Sequence, residues 1–273
     1  MDRRNLILGS TFLFTAGRIP SVRANDDATD IKIIGAVPPL PSDLAGNADQ
    51  PPAIYSATRP VGAAPPSTDE IDHAYDILVS SPFGVAPIDI AQYFLAVGSG
   101  AYGAESQPYA REWPVRANPL IFHFFSATQT SPEGDTTAWC AAFVNWCLAR
   151  SKASSRDEIG SSPGAFSQNG KPFKVETLRD HTTNNASSGS FRCWDSVAYP
   201  KRGDIAVFKD PGTDSLTAAC RGSGHVAFVL GTSNGLVRVL GGNQSQKGCN
   251  GAVTVADMKT STGSRFMKYV NVR

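Results

Sequence analysis

Gly224-His225-Val226-Ala227-Phe228-Val229-Leu230 and Leu236-Val237-Arg238-Val239-Leu240, with Gly231-Thr232-Ser233-Asn234-Gly235 between them, decide the fold class. Both arms are rich in β-branched and large apolar residues, and the five residues between them are turn formers. The pair therefore reads as an antiparallel hairpin with its loop centred near Ser233. Three more β-rich runs follow Pro200, at Asp204–Phe208, Ala252–Ala256 and Phe266–Val272. Ahead of Pro200 the apolar period is helical. Ser67-Thr68-Asp69-Glu70 forms a capping box, and Ile71, Ala74, Tyr75 and Leu78 keep the spacing of one helix face. Pro87 to Val97 and Asn118 to Phe125 read as further helices, and Thr136 to Arg150 is the most regular of all, with Asp135, Thr136 or Thr137 as its cap. Residues 151–190 are rich in Ser, Gly and Asn and read as a long surface excursion. Helices first and a strand meander afterwards define an α+β fold, N-terminal helices packed on an antiparallel β-sheet.

Composition narrows the functional classes. The chain has 273 residues, 41% apolar and 18% charged, enough to bury a core of ~150 residues or more. With 25 basic and 24 acidic residues the formal charge is +1, which argues against electrostatic binding of nucleic acid. No apolar run reaches the ~18 residues of an integral membrane span. Five cysteines without a CxxC pair make neither a disulfide scaffold nor a zinc array.

Residues 1–24 read as a signal peptide: Arg3 and Arg4 form a basic start, Leu6 to Ala16 an apolar stretch, and Val22-Arg23-Ala24 a cleavage site. The Arg3-Arg4 pair also resembles a twin-arginine signal. Either route leads out of the cytoplasm, to a periplasmic or secreted location; the competing reading is a cytosolic chain with an apolar N-terminal helix. Cleavage after Ala24 leaves 21 basic and 23 acidic residues, a formal charge of −2. Residues 25–66 read as a Pro/Ala-rich linker, with eight prolines between Val37 and Pro66, and order is expected to begin near Ser67.

Cys140 is the first candidate catalytic residue. It lies in the first turn of a helix, where unpaired N–H groups and the helix dipole favour thiolate and can hold a developing oxyanion. The competing role is that of a small buried core residue. Of the four histidines, His73 reads as surface, His123 as packed and His181 as part of the excursion. His225 opens a strand after Gly222-Ser223-Gly224, a rigid mount for a general base. With the loop centred near Ser233, His225 lies across from about Gly241, and Asn243 falls on the next same-face position, ~7 Å away. Its amide oxygen is then the candidate that orients the imidazole. The competing role for Asn243 is a turn residue, in which case Gln244 or Asp204 takes the orienting role.

Four blocks occur in order: Trp139-Cys140-Ala141-Ala142-Phe143-Val144-Asn145, Gly203-Asp204-Ile205-Ala206-Val207-Phe208, Gly224-His225-Val226-Ala227-Phe228 and Leu240-Gly241-Gly242-Asn243-Gln244. Together they resemble the CHAP family of cysteine amidohydrolases and peptidases, related to papain-like peptidoglycan hydrolases. The resemblance implies a papain-like α+β fold over residues 88–273, preceded by a helical extension at 67–87. It also implies an amidase or endopeptidase acting on peptidoglycan through a thioester acyl-enzyme, with Cys140 as nucleophile, His225 as base and Asn243 as the polar third residue. Many members carry a carboxylate two positions before that Asn; here the position is Gly241. The chemistry uses no cofactor and no metal. The partners it implies are peptidoglycan or its stem peptide, and a secretion factor or cognate inhibitor; a monomer is expected.

Two other readings share these residues: a catalytically silent wall-binding or scaffold protein on the same fold, and a cysteine peptidase with a non-wall substrate. Zinc held by Cys140, His225 and Cys249 lacks a fourth ligand at usable spacing. Cys147 is seven residues past Cys140 on the same helix face, ~10.5 Å along the axis, too far for a bridge. Cys147 is then a core residue. Cys220 and Cys249 flank the end of the sheet that carries His225 and Asn243, and an expected disulfide between them leaves Cys193 free or paired with Cys147.

Overall fold

A computed structural model describes residues 31–45, 64–134, 137–162, 166, 170–210, 220–246 and 249–272. The expected signal peptide, residues 1–24, and the candidate caps Asp135 and Thr136 lie outside the described residues.

The elements in chain order are β1 (Ile31–Ile34), α1 (Ser42–Ala45), α2 (Thr68–Ser80), α3 (Pro87–Gly98), α4 (Pro119–Phe124), α5 (Cys140–Arg150), α6 (Val175–His181), β2 (Ser196–Val197), β3 (Ile205–Lys209), β4 (Gly224–Ser233), β5 (Leu236–Gln246), β6 (Cys249–Lys259) and β7 (Phe266–Val270). The seven strands form one antiparallel sheet in the order β1-β6-β5-β4-β3-β7-β2. The α+β class is thus present. Among the described residues, no helix is long and apolar enough to cross a membrane.

Strand alternation divides the sheet into two apolar faces. Ile205, Val207, Val226, Phe228, Leu240 and Val253 pack with the helices, including Phe94 of α3 and Phe143 and Trp146 of α5. Ala206, Phe208, Ala227, Val229, Val237 and Val239 form a second cluster with Ile33, Ala252, Ala256 and Met258. The buried residues of that second cluster all lie in strands.

The helices follow their sequence signals. Ser67 caps α2 in a full capping box with Glu70, and Glu70 also pairs with Arg116. α2 contributes Ala74, Ile77 and Leu78 to the same core as α5, so the segment expected as an extension is packed into the main body. Asn118 caps α4 through the Leu120 N–H. At the far end of α5 the buried Arg150 donates to the carbonyls of Ser81, Ser155, Arg156 and Glu158. Those bonds tie the end of α5 to α2 and to the chain that follows it.

Several expectations are corrected. Order does not begin at Ser67: within the stretch read as linker, β1 pairs with β6 from Ile31↔Met258 to Ile34↔Val255, and Arg111 donates to Pro38 O at 2.8 Å. Proline-rich composition hid a four-residue strand that borrows its stability from the sheet edge. The excursion is not all surface. Ile159 is fully buried, and its carbonyl accepts from Trp146 Nε1 at 3.0 Å and lies 2.9 Å from His123 Nε2. The expected Cys220–Cys249 disulfide is replaced by Cys193–Cys220, with Cα atoms 5.4 Å apart. The 3₁₀ turn Ser188–Cys193 lies against the loop before β4, where Gly189 N–H donates to Gly222 O and Arg192 donates to Ser223 O. Cys140 and Cys147 are free and buried.

The hairpin register also differs. Asn234 and Gly235 form a two-residue loop with φ of 46° and 76°, the signature of a type I′ turn. Ser233 therefore faces Leu236, and a bulge between Val229 and Gly231 brings Phe228 opposite Leu240. His225 is not across from Gly241.

Candidate active site

α5 starts at Cys140 itself, later than the sequence suggested, so the cysteine occupies the first helical position. Trp139 precedes it as the cap residue, without a side-chain cap of its own. The Thr137 hydroxyl, an expected cap, instead accepts from Glu133 N–H at 3.2 Å. The helix packs over β4 and β5, and its start reaches a notch between them. The β4–β5 ladder runs from Ser233↔Leu236 only to Phe228↔Leu240. Beyond it β5 bulges between Gly241 and Gln244, so the two strands splay. The Cys140 sulfur sits in that notch and accepts from the Val226 N–H.

Glycine at 242 permits this approach: a Cβ there would collide with the Trp139 ring and lie 2.9 Å from Phe143 Cβ. The Val226 N–H is part of the peptide unit that joins Val226 to His225. The His225 ring stands on the second face of the sheet, 6.3 Å from the ring of Phe208. Cys140 and His225 are thus brought to one end of β4. Among the described residues, no hydrogen bond joins the two side chains; in substrate-free sites such bonds are often long and tighten on binding.

The third position falls differently from the sequence reading. Gln244, not Asn243, faces the imidazole: its Nε2 lies 3.4 Å from His225 Nε2, and its Oε1 accepts from Thr254 Oγ1 at 2.8 Å. Gln244 and Thr254 are both buried. Nε2 faces Gln244, which leaves Nδ1 as the other ring nitrogen. As placed, Gln244 Nε2 meets a lone pair on His225 Nε2; an Nε2–H there pairs with Oε1 only if the amide turns over, with Gln244 Nε2 then donating to Thr254 Oγ1 and the imidazole lone pair lying on Nδ1. Asn243 is the bulge residue, with φ +57°. In the orientation that satisfies its amide, Nδ2 donates to Glu112 Oε1 at 3.0 Å and Oδ1 accepts from Trp139 N–H at 3.2 Å. Asp204 lies four residues before Phe208, the partner of His225, and its carboxylate accepts from Lys201 N–H. It is a turn residue.

Burial sets the protonation states. Cys140 is 2% exposed, and desolvation pushes its thiol up to about 11 despite N–H bonds from Val226 and Ala141 that lower it. Burial likewise lowers His225 to about 3; the Arg265 charge lowers it further and Asp210 opposes. The resting pair is a neutral thiol and a neutral imidazole. Glu112 was not singled out in the sequence. Burial raises its pKa, while hydrogen bonds from Trp139 and Gly251 lower it. Among the described residues, no group of three His, Cys, Asp or Glu side chains gathers as a metal site.

A cysteine opening a helix, sealed against the strand that carries a histidine and followed by a Gly-Gly-Asn bulge, prompts comparison with known proteins. Residues 132–243 match the family model of the CHAP domain. No curated protein and no solved structure matches the chain. The CHAP match spans α5, the excursion, β2, β3, β4 and β5 as far as Asn243, and leaves α2, α3, α4, β6 and β7 outside it. CHAP domains are generally amidases or peptidases of the peptidoglycan-hydrolase type, and they often act at the cell wall, outside the cytoplasm.

Proposed function

We propose that this chain is a cysteine-dependent amide hydrolase of bacterial peptidoglycan, acting outside the cytoplasm on a papain-like CHAP fold. The observation that carries the reading is the placement of Cys140 at the first position of α5, against the Val226 N–H beside His225, inside the CHAP match. His225 Nδ1 takes the thiol proton as sulfur attacks the substrate carbonyl. Backbone N–H groups of the first turn hold the oxyanion, and the imidazolium returns the proton to the leaving amine. Water, deprotonated by His225, then cleaves the thioester. Gln244, backed by Thr254, holds the imidazole. Starting from a neutral pair, the mechanism couples proton transfer to attack.

The substrate assignment is tested by digesting purified peptidoglycan and identifying the new termini by mass spectrometry. A freed amino terminus on the first stem residue marks an amidase; a cut within the stem or cross-link marks an endopeptidase. Intact peptidoglycan beside ready hydrolysis of an unrelated peptide would favour the non-wall peptidase instead.

A further inference from the structure

Glu112 lies in the irregular segment between the 3₁₀ turn Gln107–Ala110 and α4, outside the CHAP match. Glu112 is 9% exposed, and its carboxylate is turned toward the start of α5. Oε1 accepts from Trp139 Nε1 at 3.0 Å and from the Asn243 amide at 3.0 Å. Oε2 accepts from Gly251 N–H at 3.2 Å, and Glu112 N–H donates to Gly251 O at 2.8 Å. Asn243 passes the contact on, since its Oδ1 accepts from the Trp139 N–H, the peptide unit just before Cys140.

We propose that Glu112 is a positioning residue for the reaction at Cys140, holding Asn243 and the Trp139 indole so that the first turn of α5 presents the cysteine in one geometry. The proposal rests on the cysteine-hydrolase reading and gives Asn243 a role other than orienting His225. Three features make the arrangement a clamp. α5 has no side-chain cap from its own cap residue, and Asn243 supplies a partner from β5 for the N–H that precedes the nucleophile. Asn243 does so in the left-handed region, at φ +57°, a conformation that persists where neighbours over-determine it; Glu112 is the neighbour. Gly251 leaves room for both, because a Cβ there would strike Glu112 Oε1 and the Asn243 side-chain amide.

The test compares Glu112→Gln, Asn243→Ala and the double variant on a purified disaccharide-peptide fragment of peptidoglycan. It includes thermal midpoints and the alkylation rate of Cys140 by a neutral haloacetamide. A displaced first turn lowers kcat about tenfold or more in Glu112→Gln, with KM held within about twofold. The double variant loses no more than the worse single one, because the two residues act in series. Cys140 alkylation quickens in both single variants as the first turn loosens around the buried sulfur.

In the wild-type protein one of the two Asn243 side-chain amide protons exchanges slowly by NMR, a readout that needs no variant to fold. Wild-type kcat with a lowered midpoint in Glu112→Gln, multiplying losses in the double variant, or rapid exchange of both Asn243 amide protons would each overturn the clamp. Absence of hydrolysis by the wild-type protein would instead count against the hydrolase reading; alkylation and amide exchange judge the clamp by themselves.

Discussion

At Cys140 two effects oppose each other, and their sizes decide the outcome. The helix start favours a thiolate by roughly 0.3–1 kcal/mol, under one pKa unit. Burial acts the other way and prevails, leaving the thiol at about 11 against an ordinary 9.0. The activated thiolate expected from the helix position alone is therefore absent at rest. At pH 7 this lowers the thiolate fraction about 100-fold, so a haloacetamide should modify Cys140 far more slowly than a free thiol, with a rate that climbs beyond pH 10. Mass-spectrometric timing of the adduct checks this; fast labelling at neutral pH would mean the site opens readily. At the imidazole, Gln244→Ala removes the group 3.4 Å from His225 Nε2. It should cost kcat on the order of 10²-fold, within the range that acid–base catalysis supplies, while a loss under about threefold would remove Gln244 from the mechanism. The placement of Cys140 at a helix start and of His225 at a strand start was legible because both are local signals. The choice between Asn243 and Gln244 was not, because a bulge at Gly241–Gln244 moves side chains between faces, and alternation cannot see a bulge.

At the scale of elements, the start of α5 fits its notch through a close approach of backbone to ring. Gly242→Ala would place a methyl group against Trp139 and Phe143, both fully buried. Overpacking of this kind typically costs about 1–3 kcal/mol, and here it pushes on the residue before the nucleophile. The expected result is a lower thermal midpoint together with a lower kcat; a variant unchanged in both would show that α5 has slack at this contact. The main helices and five of the strands could be read from apolar period, the Ser67 capping box and the Asn118 cap. β1 and β2 could not. They have four and two residues, and they exist because β6 and β7 offer edges to pair with. The hairpin register was in principle readable: Asn234-Gly235 is the strongest two-residue turn signal, and centring the loop on Ser233 misplaced His225 against its partner strand. Glu112 gave no signal, since an isolated acid beside Trp113 acquires its role only when β6 brings Gly251 to it.

For the whole molecule, burying neutral histidines makes stability depend on pH. His225 and His123 titrate at about 3 and about 4 in the folded chain, against 6.5 in the open. Depressed values mean that the unfolded chain binds the extra protons. The stabilisation is therefore fully present above pH 6.5 and is lost progressively as the pH falls, toward about 4 for His123 and about 3 for His225. The thermal midpoint should drop between pH 7 and pH 4.5, and His225→Gln should flatten part of that slope; a midpoint independent of pH over this range would show both rings protonating without cost. The proposed reaction turns on Cys140 forming and breaking the acyl bond. The most direct measurement is turnover of purified peptidoglycan by Cys140→Ala beside the wild-type chain, with thermal midpoints recorded for both. An unchanged midpoint and loss of hydrolysis to background are expected in the variant, whereas wild-type turnover by folded Cys140→Ala would rule Cys140 out as the nucleophile.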